Sequence, residues 1–176
     1  TVDGETRKLG FPFIVIATQN PIETAGTYQL PEAQLDRFLL QISMGYPKQN
    51  EELEIIKRFM TDSPLESLLA VCNADDVKGL DKEAEGVHVD EAIMNYIVDI
   101  ADKTRNNINI AIGVSTRGVI NMVKAVRAYA YINGRNYVVT EDVYNLAITV
   151  FEHRILLYRG ISDSAHQEDV MRKVIG

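Results

Sequence analysis

Two patterns of apolar residues divide the chain near residue 47. Residues 11–18 and 38–42 are short, continuously apolar runs, which is typical of strands buried on both faces of a parallel sheet. Polar residues follow the first run abruptly at Gln19-Asn20-Pro21, the strand end where such sheets bind ligands. Asp3-Gly4 predicts the turn of a hairpin spanning residues 1–9. Pro31 followed by Glu32 predicts the start of a short helix.

From about residue 49 the apolar positions recur at helical spacing. The clearest stripe lies in residues 91–105, with Asp90 as the expected N-cap. Further helices are predicted around residues 53–60, 119–130, 140–150 and 164–175, and Tyr137–Val139 could form a very short strand. The apolar members of these helices are expected to form a core. The pattern therefore predicts a piece of α/β sheet over residues 1–47 and a helical bundle over residues 48–176.

Composition narrows the possible functions. The net charge is −7, from 18 basic and 25 acidic residues, and without a basic stripe we expect no nucleic-acid binding. Single Cys72 excludes an internal disulfide, and the three histidines lack metal-ligand spacing. No apolar run is long enough to span a bilayer, and the given residues do not start with a charged-then-apolar leader. Because Thr1 lies inside a structured pattern, we expect a truncated chain.

Three polar residues are candidates for chemistry. Asn20 follows a predicted strand, where an amide could orient a water beside a phosphate; the alternative is a turn-forming asparagine before proline. Arg37, in Leu35-Asp36-Arg37-Phe38, could reach a phosphate on a neighbouring subunit; the alternative is a surface ion pair with Asp36 or Glu32.

Arg117 follows the expected N-cap Ser115 at a helix start. A cation there opposes the helix dipole, so its placement favours a nearby anion such as a phosphate. The alternative is an exposed arginine whose position carries only a small cost.

More than twenty nearly contiguous positions carry a resemblance to a known family. The segments Val15–Glu23 and Gly26–Phe38 closely resemble the second half of the MoxR-type AAA+ ATPase core. The segments Gly113–Arg117, Gly134–Val138 and His153–Ile155 resemble, in order, the family's C-terminal lid. The fold expected from the resemblance is an α/β remnant of an AAA+ P-loop core over residues 1–47, followed by an all-α lid bundle over residues 48–176.

The resemblance also implies roles and partners. Asn20 matches the sensor 1 position, Arg37 the arginine finger offered in trans, and Arg117 the sensor 2 arginine that contacts nucleotide. The full protein is expected to be a cytoplasmic ATPase that uses ATP and Mg²⁺ in a homo-oligomeric, hexameric ring. Its output would be chaperone-like remodelling, or metal or cofactor insertion, in partners with von Willebrand A-type domains.

Two departures from the family pattern concern the nucleotide. Thr116 stands where the lid motif commonly has proline, and little effect is expected because threonine also suits a helix start. The 176 residues contain no G-x-x-x-x-G-K-[ST] and no strand ending in paired acids. Without these, phosphates and Mg²⁺ lack their ligands, so the chain alone is expected to bind no cofactor and to be inactive.

Two other functions compete with this interpretation. A magnesium-chelatase-like motor subunit shares most of the motifs, although Gly26-Thr27-Tyr28 and Leu30–Gln34 favour the MoxR type. A non-catalytic helical adaptor would need only residues 48–176. A phosphate-binding loop encoded upstream would favour the ATPase, and its absence the adaptor. The sequence names neither the client protein nor its pathway.

Overall fold

The computed structural model describes residues 3–19, 30–61, 65, 67–158 and 167–176. Seven helices, one 3₁₀ turn and two short strands occur in these residues. In chain order they are α1 Glu32–Leu35, α2 Gln49–Thr61, α3 Ala74–Glu85, α4 Glu91–Arg105, β1 Ile110–Ile112, α5 Thr116–Ile132, α6 Thr140–Phe151, the 3₁₀ turn Glu152–Arg154, β2 Leu156–Leu157 and α7 Gln167–Ile175.

The hydrophobic core lies among the helices from α4 onward. Helix α5 packs against α3, α4 and α6, and α7 closes the bundle against α4 and α6. The largest fully buried side chains include Ile97, Ile100, Met122, Phe151 and Met171. Each such side chain contributes about 1.5–3 kcal/mol by leaving water, so this bundle holds most of the burial energy of the described residues.

Side-chain caps fix where the bundle helices begin. The carboxylate of Asp90 accepts a hydrogen bond from the amide of Ala92 at 2.8 Å, as the sequence predicted for α4. The hydroxyl of Ser115 accepts one from the amide of Gly118 at 3.2 Å at the start of α5. Each cap satisfies an amide that has no partner within its helix.

The two strands form a small antiparallel sheet beside the bundle. Ile110 pairs with Leu157 and Ile112 with Leu156, with an irregularity between the two pairs. Nearby, the hydroxyl of buried Thr104 accepts a hydrogen bond from the amide of Val114 at 2.9 Å. This sheet was not anticipated from the sequence, because strands of two or three residues are too short to show periodicity. The short strand expected at Tyr137–Val139 is reduced to an isolated bridge between His88 and Tyr137.

The prediction of two buried strands at residues 11–18 and 38–42 is wrong for this structure. Neither run is a strand, and most of their apolar side chains are exposed, with 54% of Phe11 and 87% of Ile16 accessible. A continuously apolar strand needs paired strands and covering helices, and the described residues place no strand beside either run. The second run lies instead along α6, where the amide of Gln41 donates to the carbonyl of Thr149 at 2.9 Å.

The turn at Asp3-Gly4 is present. Both residues have positive φ, 50° at Asp3 and 82° at Gly4, as a type I′ hairpin turn requires. Thr1 and Val2, the first residues of the predicted hairpin, lie outside the described residues.

Helix α2 forms where it was predicted but does not join the core. Leu53, Ile56 and Met60, the expected inward face, are all exposed. Helical spacing thus identified the element and its apolar face, while the packing partner of that face does not occur among the described residues. The division of the chain at residue 47 stays a prediction.

Candidate functional site

The three candidate site residues have different surroundings. Asn20 lies outside the described residues. Arg37 follows α1 in the turn that leads to Phe38, and its side chain is exposed. Arg117 is the second residue of α5, and 55% of its side chain is accessible.

One carboxylate connects the segment that carries Arg37 with the bundle. Oδ1 of Asp36 accepts a hydrogen bond from the hydroxyl of Ser115 at 2.8 Å. Oδ2 accepts one from Nη1 of Arg117 at 3.0 Å. Nε of Arg154 lies 3.3 Å from Oδ1, at ion-pair distance but without hydrogen-bond geometry. We call these four residues, Asp36, Ser115, Arg117 and Arg154, the Asp36 junction.

Arg154 reaches the junction from the 3₁₀ turn that follows α6. Its side chain is 0% exposed, and its guanidinium donates to the carbonyl of Val150 in α6. It also donates to three carbonyls around Arg37: that of Phe38, that of Leu39 at 3.3 Å and that of Asp36 at 3.5 Å. The backbone on both sides of Arg37 is thus bonded to one buried cation.

The partners of Arg154 offset the effect of burial on its charge. Burial lowers the pKa of Arg154, whereas the charge of Asp36 and its contact with the guanidinium raise it. An arginine remains charged in a folded protein, so its surroundings must supply acceptors for the donors removed from water. The Asp36 carboxylate and the carbonyls supply them.

Gly118 makes room for this arrangement. A Cβ at position 118 would lie 2.7 Å from Cγ1 of Val114 and 2.9 Å from Cδ of Arg154. Both distances are below those that real Cβ atoms show, so only glycine lets the Arg154 side chain cross the first turn of α5 here. Gly118 is itself buried.

His153 adds a second contact to the same segment. Its Nε2 lies 3.4 Å from the carbonyl of Phe38, and Nδ1 is buried without a hydrogen-bond partner among the described residues. Burial lowers the pKa of His153 to about 4, and the neighbouring charge of Arg154 acts in the same direction. The ring is therefore neutral at pH 7, and as the Nε2–H tautomer it can donate to Phe38.

Asp36 changes the interpretation of Arg117. A cation at the start of α5 opposes the helix dipole, which suggested an anion nearby. The structure supplies one from the chain itself, because Asp36 lies 3.0 Å away. The position of Arg117 alone therefore no longer requires a phosphate, and a phosphate role rests on its exposure and on the family pattern.

The Arg37 side chain has no partner among the described residues. The described residues provide no ion pair or side-chain hydrogen bond for its guanidinium, although Asp36 is next to it in the chain, since the Asp36 carboxylate is turned toward the bundle. The alternative of a surface ion pair with Asp36 or Glu32 thus finds no support in the described part of the chain.

Sequence reasoning missed Arg154 and the bridging role of Asp36. The available signal was the polar run Glu152–Arg154 between the apolar pairs Val150-Phe151 and Ile155-Leu156. A buried arginine needs acceptors, but the sequence did not identify them 115 or more positions earlier in the chain.

The described residues contain no cluster of three or more metal-ligating side chains. Within the same ranges, no helix is both long and apolar enough to cross a membrane.

Two known families match parts of the chain. The family described as "AAA lid domain" matches residues 102–174, from the end of α4 into α7. The family described as "ATPase family associated with various cellular activities (AAA)" matches residues 1–40. Of the Asp36 junction, this segment contains Asp36, and the segment matched by the lid family contains the other three residues. The junction therefore joins the two matched segments.

Similar proteins cover nearly the whole chain. It is 44% identical to the protein named Uncharacterized protein YeaC of Bacillus subtilis, over 99% of this chain and 56% of that protein. It is 36% identical to Chaperone MoxR1 of Mycobacterium tuberculosis, over 99% of this chain and 48% of that protein. The chain thus spans about half the length of the curated relatives it matches.

A solved structure agrees with these relatives. The crystal structure of a candidate ATPase from Cytophaga hutchinsonii superposes with a TM-score of 0.89 at 31% identity, over 99% of this chain and 56% of that one. This likeness supports an AAA+ fold. The two family matches, the MoxR-named relatives and the solved structure agree, and together they support a MoxR-type AAA+ ATPase as the family of this chain.

Proposed function

We propose that this chain supplies residues for ATP hydrolysis in a homo-oligomeric ring, as part of a longer protein. Arg37 would act as an arginine finger on the nucleotide of the next subunit. Arg117 would contact the nucleotide of its own subunit as sensor 2, and Asn20 would orient the attacking water as sensor 1. A hexamer is the expected ring.

The observation that carries the proposal is the free Arg37 guanidinium beside a fixed backbone. A residue offered to another subunit must not be neutralised within its own, and among the described residues no acid pairs with Arg37. Its neighbours Asp36 and Phe38 are held by Arg154 and Ser115. A side chain with a fixed backbone and an unpaired charge is suited to stabilise the charge of a transition state across an interface, because phosphoryl transfer depends on positioning and charge.

Arg117 could serve a phosphate without leaving its helix. Its side chain is more than half accessible, and the start of α5 adds the positive end of a helix dipole. Its partner Asp36 retains Ser115 and Arg154 if Arg117 turns away. Arg117 would thus exchange a carboxylate for a phosphate oxygen, while Asp36 keeps its contacts with Ser115 and Arg154.

The remaining parts of a nucleotide site are not in these 176 residues. ATP with Mg²⁺ would supply the transferable phosphoryl group, but the sequence has no phosphate-binding loop for it. The described residues offer arginines, which fit phosphate oxygens, and no group of acids that would hold Mg²⁺. We therefore propose that the chain alone neither binds ATP tightly nor hydrolyses it.

The output of hydrolysis would be mechanical work on other proteins. One relative is named a chaperone, which supports chaperone-like remodelling, or metal or cofactor insertion, as the role of the longer protein. Partners with von Willebrand A-type domains and a cytoplasmic site of action follow from the family pattern.

The test is ATP turnover by the full-length protein in a mixing experiment. Arg37→Ala should be inactive alone and recover when mixed with a variant that lacks the phosphate-binding-loop lysine, because each variant then supplies what the other lacks. Arg172→Ala, which removes an exposed arginine in α7, is the matched control and should stay active. Normal turnover by Arg37→Ala would exclude the finger role.

A further inference from the structure

The segment that carries Arg37 has little structure of its own. Helix α1 has only four residues and no buried side chain, and Pro31 at its N-cap position makes no side-chain hydrogen bond to the helix. After it, residues 38–48 are irregular. The position of Arg37 therefore depends on contacts outside its own segment.

The bundle makes those contacts through Arg154 and Asp36. The Arg154 guanidinium bonds the carbonyls of Asp36, Phe38 and Leu39, and the Asp36 carboxylate turns back to Arg154 and Ser115. Arg154 thus bonds the backbone of the segment that carries Asp36, and Asp36 contacts the bundle in return. Arg37 lies between the carbonyls that Arg154 bonds. A planar guanidinium can bond several acceptors at once, which a lysine cannot do with the same geometry.

We infer that Asp36 and Arg154 are positioning residues for Arg37, which fix the candidate finger of each subunit to its own helical bundle. The inference rests on the proposed function, because it requires Arg37 to act in trans. Neither residue needs to touch nucleotide in this role.

The same contacts connect the finger with Arg117. Arg117 and Arg154 contact opposite oxygens of one carboxylate, and Ser115 caps the N-terminus of α5 while Arg117 lies in its first turn. A shift of α5 on its own subunit's nucleotide would therefore carry Asp36, and with it the base of Arg37. This gives a path from one subunit's nucleotide to the finger in the next subunit's site.

The experiment separates finger delivery from hydrolysis in mixed rings of the full-length protein. Donor subunits lack the phosphate-binding-loop lysine and supply only a finger, whereas acceptor subunits carry Arg37→Ala and supply only a nucleotide site. Asp36→Asn is placed in donors or in acceptors, and kcat and KM for ATP are measured with matched donor-to-acceptor ratios. Glu32→Gln, which removes a charge from the same short helix, is the control in both positions.

In donors, Asp36→Asn should lower kcat by roughly 10- to 100-fold with unchanged KM, since small displacements of a catalytic group cost about that much. In acceptors, Asp36→Asn should leave kcat within about twofold of the value for the parent mixture. Arg154→Lys, which keeps the charge but loses the planar fork, should behave like Asp36→Asn. Ring assembly and the thermal midpoint are measured for every variant, so that a folded variant of either residue carries the test.

Three other outcomes would distinguish failure of this inference from failure of the proposed finger. Folded Asp36→Asn or Arg154→Lys donors as active as the parent donor would overturn the inference and leave the trans finger intact. An equal loss in donors and acceptors would also overturn it, because that result indicates a general structural role. No recovery in the parent mixture would overturn the proposed finger itself, together with this inference.

Discussion

Asp36 and Arg117 are 81 positions apart in the chain, yet Oδ2 of the carboxylate lies 3.0 Å from Nη1 of the guanidinium. The pair joins the segment just before the candidate finger to the start of the helix that carries the candidate sensor 2. One acidic side chain thus lies between the two arginines that the family pattern assigns to different nucleotides. This relationship links the proposed chemistry to the packing of the bundle.

The 176-residue chain should not bind ATP with micromolar affinity. It carries Arg117 but no G-x-x-x-x-G-K-[ST] motif whose backbone amides would surround the phosphates, and one exposed arginine cannot replace such a loop. Isothermal titration of the chain with ATP and Mg²⁺ should give no measurable heat of binding. Micromolar binding would contradict the proposal that the nucleotide site requires residues outside this chain.

Gly118→Ala should destabilise the chain by about 1–3 kcal/mol, as expected for overpacking a buried site. The added methyl would lie 2.7 Å from Cγ1 of Val114 and 2.9 Å from Cδ of Arg154. Urea unfolding followed by circular dichroism measures the change. The control is Gly79→Ala in α3, where a Cβ meets no atom within 4 Å; it should be neutral or stabilising, because alanine favours a helix. Equal effects would show that the site is not tightly packed.

Acid should destabilise the chain partly through His153. Its pKa is about 4 in the folded state, whereas the unfolded chain protonates near pH 6.5. The unfolded state therefore binds more protons between these values, and stability falls as the pH drops from about 6.5 toward 4. Above pH 6.5 this contribution is fully present.

His153→Gln isolates this effect, because glutamine does not titrate. The free energy of unfolding of the wild type should fall more between pH 7 and pH 5 than that of the variant, by about 1–2 kcal/mol at the usual 1.4 kcal/mol per pKa unit. Urea unfolding at both pH values measures the difference. Parallel losses in the two proteins would place the acid sensitivity elsewhere.

Asp142→Asn should cost about 1–3 kcal/mol, because it leaves a charged partner poorly matched in a nearly buried site. Oδ1 of Asp142 lies 2.5 Å from Nη2 of Arg135, and Oδ2 accepts from Nη1 at 2.8 Å and from the amide of Val139 at 2.9 Å. Thermal unfolding at neutral pH checks the loss. Glu168→Gln, in an exposed ion pair of α7, should change stability by less than about 0.5 kcal/mol.

The same pair predicts a second pH dependence. Burial alone would raise the pKa of Asp142, but the hydrogen bonds from Arg135 and from the amide of Val139 hold it below its ordinary value. The stabilisation is therefore present above the pKa of the unfolded carboxyl and is lost as the pH falls through the lower, folded value. Asp142→Asn should flatten the stability profile in this acidic range, and an unchanged profile would contradict the assignment.

Amides of residues 11–19 should exchange with solvent much faster than those of α4. The first segment has no strand pairing and exposed apolar side chains, whereas the amides of α4 are bonded within a helix whose inward face is buried. Exchange followed by mass spectrometry, on a sample shown to be monomeric, compares the two segments. Equally slow exchange would mean that residues 11–19 are paired in solution.

Sequence alone determined the bundle helices α4 to α7 and the residues that cap α4 and α5, whereas α3, which packs against α5, was not predicted. Apolar spacing depends on the 3.6-residue period, and caps are local, so Asp90, Ser115 and the inward faces of α4 and α5 could be read directly. The family pattern likewise rests on contiguous residues. Local signals failed where a segment's structure depends on other segments. Residues 11–18 and 38–42 have the pattern of buried strands, but a strand forms only where other strands pair with it.

Only the tertiary structure decided which charges meet. Asp36 pairs with Arg117 and Arg154 rather than with adjacent Arg37, and Gly118 is needed because of the Arg154 side chain. Such pairings depend on how distant segments pack, and the sequence carries no local periodicity that encodes them. The sequence therefore indicated which arginines to consider, while packing decided that Arg117 already has an anionic partner and that Arg37 has none among the described residues.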